Sequence, residues 1–342
     1  MVRAMLPNVF HYEHATGAEI RRAPVDLDVL ILPAAAPEHH GPHLPLGTDS
    51  ILSENVAWRV AAHLAEAYPD RRIWVHPTWA LGAATIRGVG SAKVPVRLFR
   101  RTVRAYLRRF VRQGWRHFVL LTAHGAVPHT GALDAACASL RRMGRPGRPI
   151  HAVAPSARIG GRVFFGDYAD DVRQAGVPLP DDEVRDLAWD LHAGRLETAM
   201  MLAAAPSLVD AGWRELAPLA PPRRGWLTKV EAALGWGVER LGRSDEERRD
   251  IRRAVAAGAA DLSWILRGRE EGYLGRPNLA TAAEGEALLA AVSRDIAAAV
   301  REVFDGRRDA KSLESAAILF YGALIAIGLV AAALALAVAR LL

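Results

Sequence analysis

The chain of 342 residues has a single cysteine, Cys137, set in an alanine-rich stretch of helical character. One thiol cannot close an internal disulfide, so it reads as a small buried apolar residue, and nothing points to an oxidising compartment. Residues 1–7 lack the continuous apolar core of a signal peptide. No internal repeat or low-complexity tract stands out beyond the alanine bias. The formal charge is +7, with basic residues concentrated at 97–116 and 223–253, yet no nucleic-acid-binding motif accompanies them. A solvated surface or an anionic membrane explains them more simply than a nucleic-acid partner. Charge itself is missing from 316–339, a run of 24 residues. At ~1.5 Å per residue such a helix crosses a hydrocarbon core of ~30 Å with some tilt, whereas a buried core helix of that length would carry a polar stripe. Arg301, Arg307, Arg308 and Lys311 precede the run and only Arg340 follows it. The positive-inside tendency then predicts a single-pass C-terminal membrane anchor with the large domain in the cytoplasm.

What is present, 51% hydrophobic residues over this length, is ample for one large α/β domain. The chain is organised around 37–49, which holds Glu38, His39, His40, His43 and Asp49, with Gly41, Pro42 and Pro45 between them. An apolar run over 29–34 precedes it and reads as a buried strand; a helical pattern begins at about Ser50. Open α/β sheets place their active sites in loops leaving strands. Glu38 and His40 are two apart, so in extended backbone their side chains share a face. The prolines lower the entropic cost of holding the loop in one shape. Asp49 reaches the same point if the loop turns; otherwise it caps the helix, and His39 and His43 are otherwise surface histidines. Histidine and carboxylate ligands without thiolates suit Zn, Mn or Fe.

The segment Glu38-x-His40-Gly41-Pro42-His43-Leu44-Pro45-Leu46-x-Thr48-Asp49 resembles the signature of the creatininase family, the creatinine amidohydrolases and their relatives. His124-Gly125 sits where that family carries an Asn-Gly-His-Gly-Gly-Asn loop, and Asp190-x-His192-Ala193-Gly194-x-x-Glu197-Thr198 matches its His-Ala-Gly-x-x-Glu-Thr segment. Gly272-Tyr273-x-Gly275-x-Pro277, with Ala280-Thr281-Ala282-x-x-Gly285, resembles its C-terminal region. The likeness runs over roughly 25–305. The expected fold is an α/β three-layer sandwich with a mostly parallel sheet flanked by helices, plus the C-terminal transmembrane helix. The expected domains are a catalytic domain over 1–312, with an insertion at 213–253, and an anchor over 313–342. The resemblance implies that Glu38, His40, Asp49 and His124 hold one or two divalent ions, with Asp49 bridging two. It implies that Glu197 completes that set and takes part in catalysis, and that His192 is the general acid. Read from its turn alone, His192 is as readily a structural histidine. The family often assembles into rings of subunits, so a homo-oligomer is expected.

Two departures from the family pattern bear on substrate. The connection 82–91 lacks the family's His and Phe-Pro-Gly-Thr, and its Arg87 favours an anionic group. Ala126 stands where creatinine-hydrolysing members carry a ligand Glu, which argues against creatinine and turns attention to Glu197. The implied activity is a metal-dependent amidohydrolase cleaving a small-molecule amide or cyclic amide, a C–N bond other than a peptide bond, by metal-activated water. The alternatives are a deformylase or a peptide-processing hydrolase of the same family, and a non-catalytic membrane-tethered scaffold on the same fold.

Elsewhere, periodicity predicts helices over 50–68, 95–114, 133–143 and 282–304 and one starting near Leu196, with strands over 28–34, 72–76, 118–122 and 150–154. Residues 1–27 read as a mixed lead-in, 155–188 as a rim or lid and 305–313 as a polar linker. Leu98, Val103, Leu107 and Val111 are the expected core side of the helix over 95–114. In 213–253, Trp226, Leu227, Val230, Leu234, Val238 and Leu241 recur at helical spacing. That helix lies on a membrane surface, or packs on the core or a dimer partner.

Overall fold

Five short strands, β1 (Val9–His11), β2 (Val29–Pro33), β3 (Ile73–Val75), β4 (His117–Leu121) and β5 (His151–Val153), form one sheet in the order β1-β3-β2-β4-β5. Every pairing is parallel, with β2 and β4 in register from Val29↔His117 to Pro33↔Leu121. The central strands are apolar at every position but His117, which opens β4, because both faces are covered. Val29 and Ile31 of β2, with Val119 and Leu121 of β4, enter one core; Leu30, Leu32, Phe118 and Leu120 enter the other. In the computed structural model the described residues are 6–220, 245, 248, 249 and 271–315.

The helices are α1 (Gly17–Arg22), α2 (Thr48–Ala67), α3 (Val96–Arg112), α4 (Val127–Arg141), the short α5 (Ser156–Ile159), α6 (Ala169–Gln174) and α7 (Asp181–Asp186), then α8 (Arg195–Ala204) and α9 (Ala282–Phe304). α2 and α9 contribute to the first core, and α3 and α4 to the second. The layers are thus helix, sheet, helix. From β2 the chain crosses to β3 on one side, and β4 then lies on the other. The topological switch falls between β2 and β4, where open sheets bind ligands beyond the strands' carboxyl ends.

Several elements differ from expectation. The lead-in contains an edge strand, β1, held because its extended backbone finds a free edge on β3. On α3, Phe99 is buried in place of Leu98, which is exposed. Phe99 is four residues before Val103, whereas Leu98 is five, off the helical period. α4 begins six residues before Leu133, with Pro128 in its first turn. Residues 310–313 are no linker: Ala310 and Leu313 are buried in the first core. The connection over 155–188 carries three short helices.

The chain divides into two units, and nearly all the described residues belong to the one built from 1–220 with 269–315. The run 316–339, expected to cross a membrane, lies outside the described residues, as does the expected insertion beyond Ala220 apart from 245, 248 and 249. Among the described residues no helix is long and apolar enough to cross a membrane.

Candidate metal centre

β2 and β4 end side by side, and the loops that leave them supply Glu38, His40 and His124. Thr48 donates to the Pro45 carbonyl at 2.7 Å, turning the loop into α2. Asp49 therefore lies in the first helical turn, and its side chain turns inward. It is not the cap: that position is Gly47, with no side-chain capping bond. Asp49 Oδ1 lies 3.2 Å from His40 Nε2, and Asp49 Oδ2 lies 3.0 Å from His124 Nδ1. Glu38 Oε2 is 2.9 Å from His124 Nδ1, and Glu197 Oε2 is 3.7 Å from His40 Nε2. All five side chains are buried. They form two overlapping sets, Glu38–Asp49–His124 and His40–Asp49–Glu197, with donor atoms within 4.8 Å of one another in each. Asp49 belongs to both.

The second ring nitrogens fix what the first ones offer. His40 Nδ1 meets the Glu38 carbonyl at 2.9 Å, and His124 Nε2 meets the Ala83 carbonyl at 3.0 Å. A carbonyl only accepts, so these nitrogens carry the protons. His40 Nε2 and His124 Nδ1 are left aimed at carboxylate oxygens, lone pair against lone pair. Only positive charge between them relieves that. His40 Nε2 and Asp49 Oδ2 are buried without a partner in hydrogen-bond geometry. This chemistry fits a divalent cation.

Electrostatics tell the same story through protons. Burial resists charge on His40, yet Asp49, Glu197 and Glu38 raise it to about 10. Burial also opposes His124, and Asp49 and Glu38 drive it well above the ordinary imidazole value. Burial works against an ionised Asp49, but His40 and His124 hold it well below the usual carboxylate range. Glu38 is likewise lowered, against its burial, by the hydrogen bond and charge of His124. Glu197 goes the other way: burial raises it to about 7 despite His40. It accepts the backbone N–H of Ala193, a residue held at φ 45°.

His192 stands beside this cluster, its ring 4.2 Å from that of His40 and its Nε2–H on the His39 carbonyl at 2.8 Å. Burial, then His40, lowers it to about 4. Its backbone carbonyl accepts Leu274 N–H at 2.7 Å, so the turn is held against the 272–275 loop. His43 is buried and bonds Thr198 Oγ1 at 2.9 Å, while His39 is half-buried. Arg87 is exposed on the 82–91 connection. That connection borders the site through its backbone, since Ile86 N–H donates to Glu38 Oε1 and Ala83 accepts His124.

Sequence reasoning missed the groups that set the ligands in place. Ser53 donates to the Asp49 carbonyl at 2.6 Å and accepts Ala123 N–H at 2.7 Å, coupling α2 to the His124 loop. His129 accepts Ala83 N–H at 3.2 Å and donates to the Ala34 carbonyl at 3.2 Å, pinning the carbonyl-bearing connection to the end of β2. Asp190, buried, accepts the backbone N–H groups of Arg195, Leu196 and Arg276 and so orders the His192 turn. Their residue types signal nothing alone, and each role depends on a partner far away in the chain.

A family model described as creatininase, creatinine amidohydrolase, matches residues 13–300. The chain is 27% identical over 303 residues to a mycofactocin precursor peptide peptidase of Mycobacterium tuberculosis, covering 85% of this chain and 90% of that protein. It is 25% identical over 185 residues to a creatinine amidohydrolase of Pseudomonas putida, covering 53% of this chain and 66% of that protein, just under two thirds. Among solved structures, one described as an Mn creatininase aligns with TM-score 0.55 at 22% identity, covering 86% of this chain and 98% of that one.

Proposed function

The chain belongs to the creatininase family of hydrolases, and from that premise we propose that it is a metal-dependent amidohydrolase acting on a non-peptide C–N bond. The observation that supports this most is the pair of imidazole lone pairs turned on three buried carboxylates. Glu38, Asp49 and His124 would hold one divalent ion, and His40, Asp49 and Glu197 a second. The donor set suits Zn, Mn or Fe, and the structural neighbour is described as an Mn creatininase. When bound, such ions supply Lewis acidity toward water and the substrate carbonyl. The chain's own groups do the rest. Buried carbonyls hold His40 and His124 in one tautomer. Asp190 and the 272–275 loop hold His192 beside His40. In this reading His192, fixed by its Nε2–H on the His39 carbonyl, takes up at Nδ1 the proton lost by the attacking water and carries it to the leaving nitrogen. The 82–91 connection borders the site through the Ile86 N–H and the Ala83 carbonyl.

A second reading, peptide processing, is favoured by the match to the mycofactocin precursor peptide peptidase, which spans 90% of that protein. Ala126, in place of a further carboxylate, weighs against creatinine in either reading. Tethering by 316–339, with the body cytoplasmic, belongs to the proposal too. It rests on the uncharged run and its basic flank, and protease protection of membrane vesicles tests it.

The test of function is metal content and turnover in the purified full chain. We expect Asp49→Asn to lower bound divalent metal at least about tenfold and to abolish release of amine or ammonia from an amide panel. Unchanged metal content would sink the site. Cleavage of peptides alone would decide for the second reading.

A further inference from the structure

α3 carries seven arginines in 17 residues and no acid. Five of them, Arg97, Arg101, Arg104, Arg108 and Arg112, follow at steps of three and four, one stripe along the helix. The stripe lies opposite Phe99, Val103, Leu107 and Phe110, which enter the core. Among the described residues, none of these arginines has a carboxylate partner. Arginines elsewhere do: Arg59 pairs with Glu286, Arg173 with Asp181, Arg294 with Asp171 and Arg308 with Glu302. Soluble surfaces ordinarily mix the two signs, and α3 does not.

A second observation sits at the N-terminal end of the same helix. Of the seven large hydrophobic residues exposed among the described residues, four are Leu46, Val89, Val96 and Leu98. Val89 is 92% exposed and Leu98 53%. Leu46 of the ligand loop packs over Gly90, so the loop and the connection form one rim leading into α3. Exposed Arg87, Lys93, Arg97, Arg100 and Arg101 surround these apolar tips. Aliphatic tips among unpaired cations match a bilayer interface, where tails take the former and anionic headgroups the latter.

We propose that the outer face of α3 and the rim at Leu46, Val89 and Leu98 dock on an anionic lipid surface. The contact belongs to the catalytic unit itself and uses none of the residues in 316–339. Because the 82–91 connection also touches Glu38 and His124 through its backbone, docking brings that side of the candidate metal centre to the headgroup layer.

The experiment uses the full chain with Val89→Cys labelled by an environment-sensitive fluorophore. Cys137 is the chain's one cysteine and is buried, so it stays unlabelled. Vesicles of phosphatidylcholine with phosphatidylglycerol should shift the emission to the blue, and vesicles of phosphatidylcholine alone should not. The shift should vanish in 1 M NaCl, where the screening length falls to ~3 Å. Replacing Arg97, Arg100, Arg101 and Arg104 by Glu should lower the blue-shifted population of the probe at Val89→Cys by about a hundredfold or more, even in chains that 316–339 keeps on the vesicle, with the circular dichroism spectrum unchanged. No shift with phosphatidylglycerol overturns the proposal. So does an emission already blue before vesicles are added, with a mass that is a multiple of the chain, which would make this rim a contact between copies. Binding of duplex DNA that is lost in the four-Glu variant, without any lipid response, overturns it in favour of a nucleic-acid surface.

Discussion

Each buried histidine takes its character from what its second ring nitrogen touches. In His40 and His124 a carbonyl holds one proton and leaves the other nitrogen for a cation. In His129 both nitrogens are used within the fold. His117, at the start of β4, accepts from Arg71 at 3.2 Å and stacks on His151 at 5.0 Å. Burial, then the charge of Arg71 and the neighbouring His151, lowers it to about 3. The folded state therefore keeps this ring neutral while the unfolded chain takes up a proton near pH 6.5. Stability from His117 is complete above 6.5 and is lost progressively as pH falls toward 3. Between pH 7 and pH 5 the loss amounts to ~2 kcal/mol. His117→Gln, which removes the titration, should shrink the acid-induced drop in unfolding free energy by about that amount. Urea unfolding at the two pH values measures it, and an unchanged drop would count against it.

Among elements, α8 and α9 pack backbone to backbone at Gly285. A Cβ at Gly285 would overlap the Ala199 carbonyl, so the backbones touch where any side chain would part them. The same contact carries Arg195, whose guanidinium is buried between Glu284 and Glu183. α8 also bears Glu197, so this packing sets where that carboxylate stands. Gly285→Ala should destabilise by ~3 kcal/mol or more, and it should weaken metal binding through Glu197. A thermal melt together with a metal titration reads both. A variant with wild-type melting would show that the helices can separate without loss. Thr281 caps α9 by accepting Glu284 N–H, which gives that helix a defined start just before the glycine.

For the molecule as a whole, three carboxylates packed into one buried cluster should make the fold depend on the cation proposed to sit there. Ligand held only by the native state stabilises it by ~2.7 kcal/mol at a hundred times its dissociation constant. Chelation should therefore lower the melting temperature by several degrees, and Mn or Zn should restore it. A melt indifferent to chelator would mean that protons suffice in the cluster. Most of this architecture is legible in the sequence. Unbroken apolar runs at 29–33 and 118–121 mean strands covered on both faces, and α9 shows its period over all of 282–304. What could not be read were contacts made at long range. β1 pairs along the edge of β3, and nothing in Val9–His11 announces that edge. Leu313 is drawn into a core by neighbours that local pattern does not encode. Ser53 and His129 matter through partners 70 and 46 residues away. The kinds of candidate ligand, their order and the loops that carry them were therefore determined by sequence alone, because residue type and local spacing fix chemistry and local geometry. That Asp49 turns inward to join two candidate ligand sets, and that the α3 arginines have no carboxylate partner among the described residues, were decided only by tertiary structure. Charge pairing and coordination are distances between segments, and a linear pattern holds no such distances.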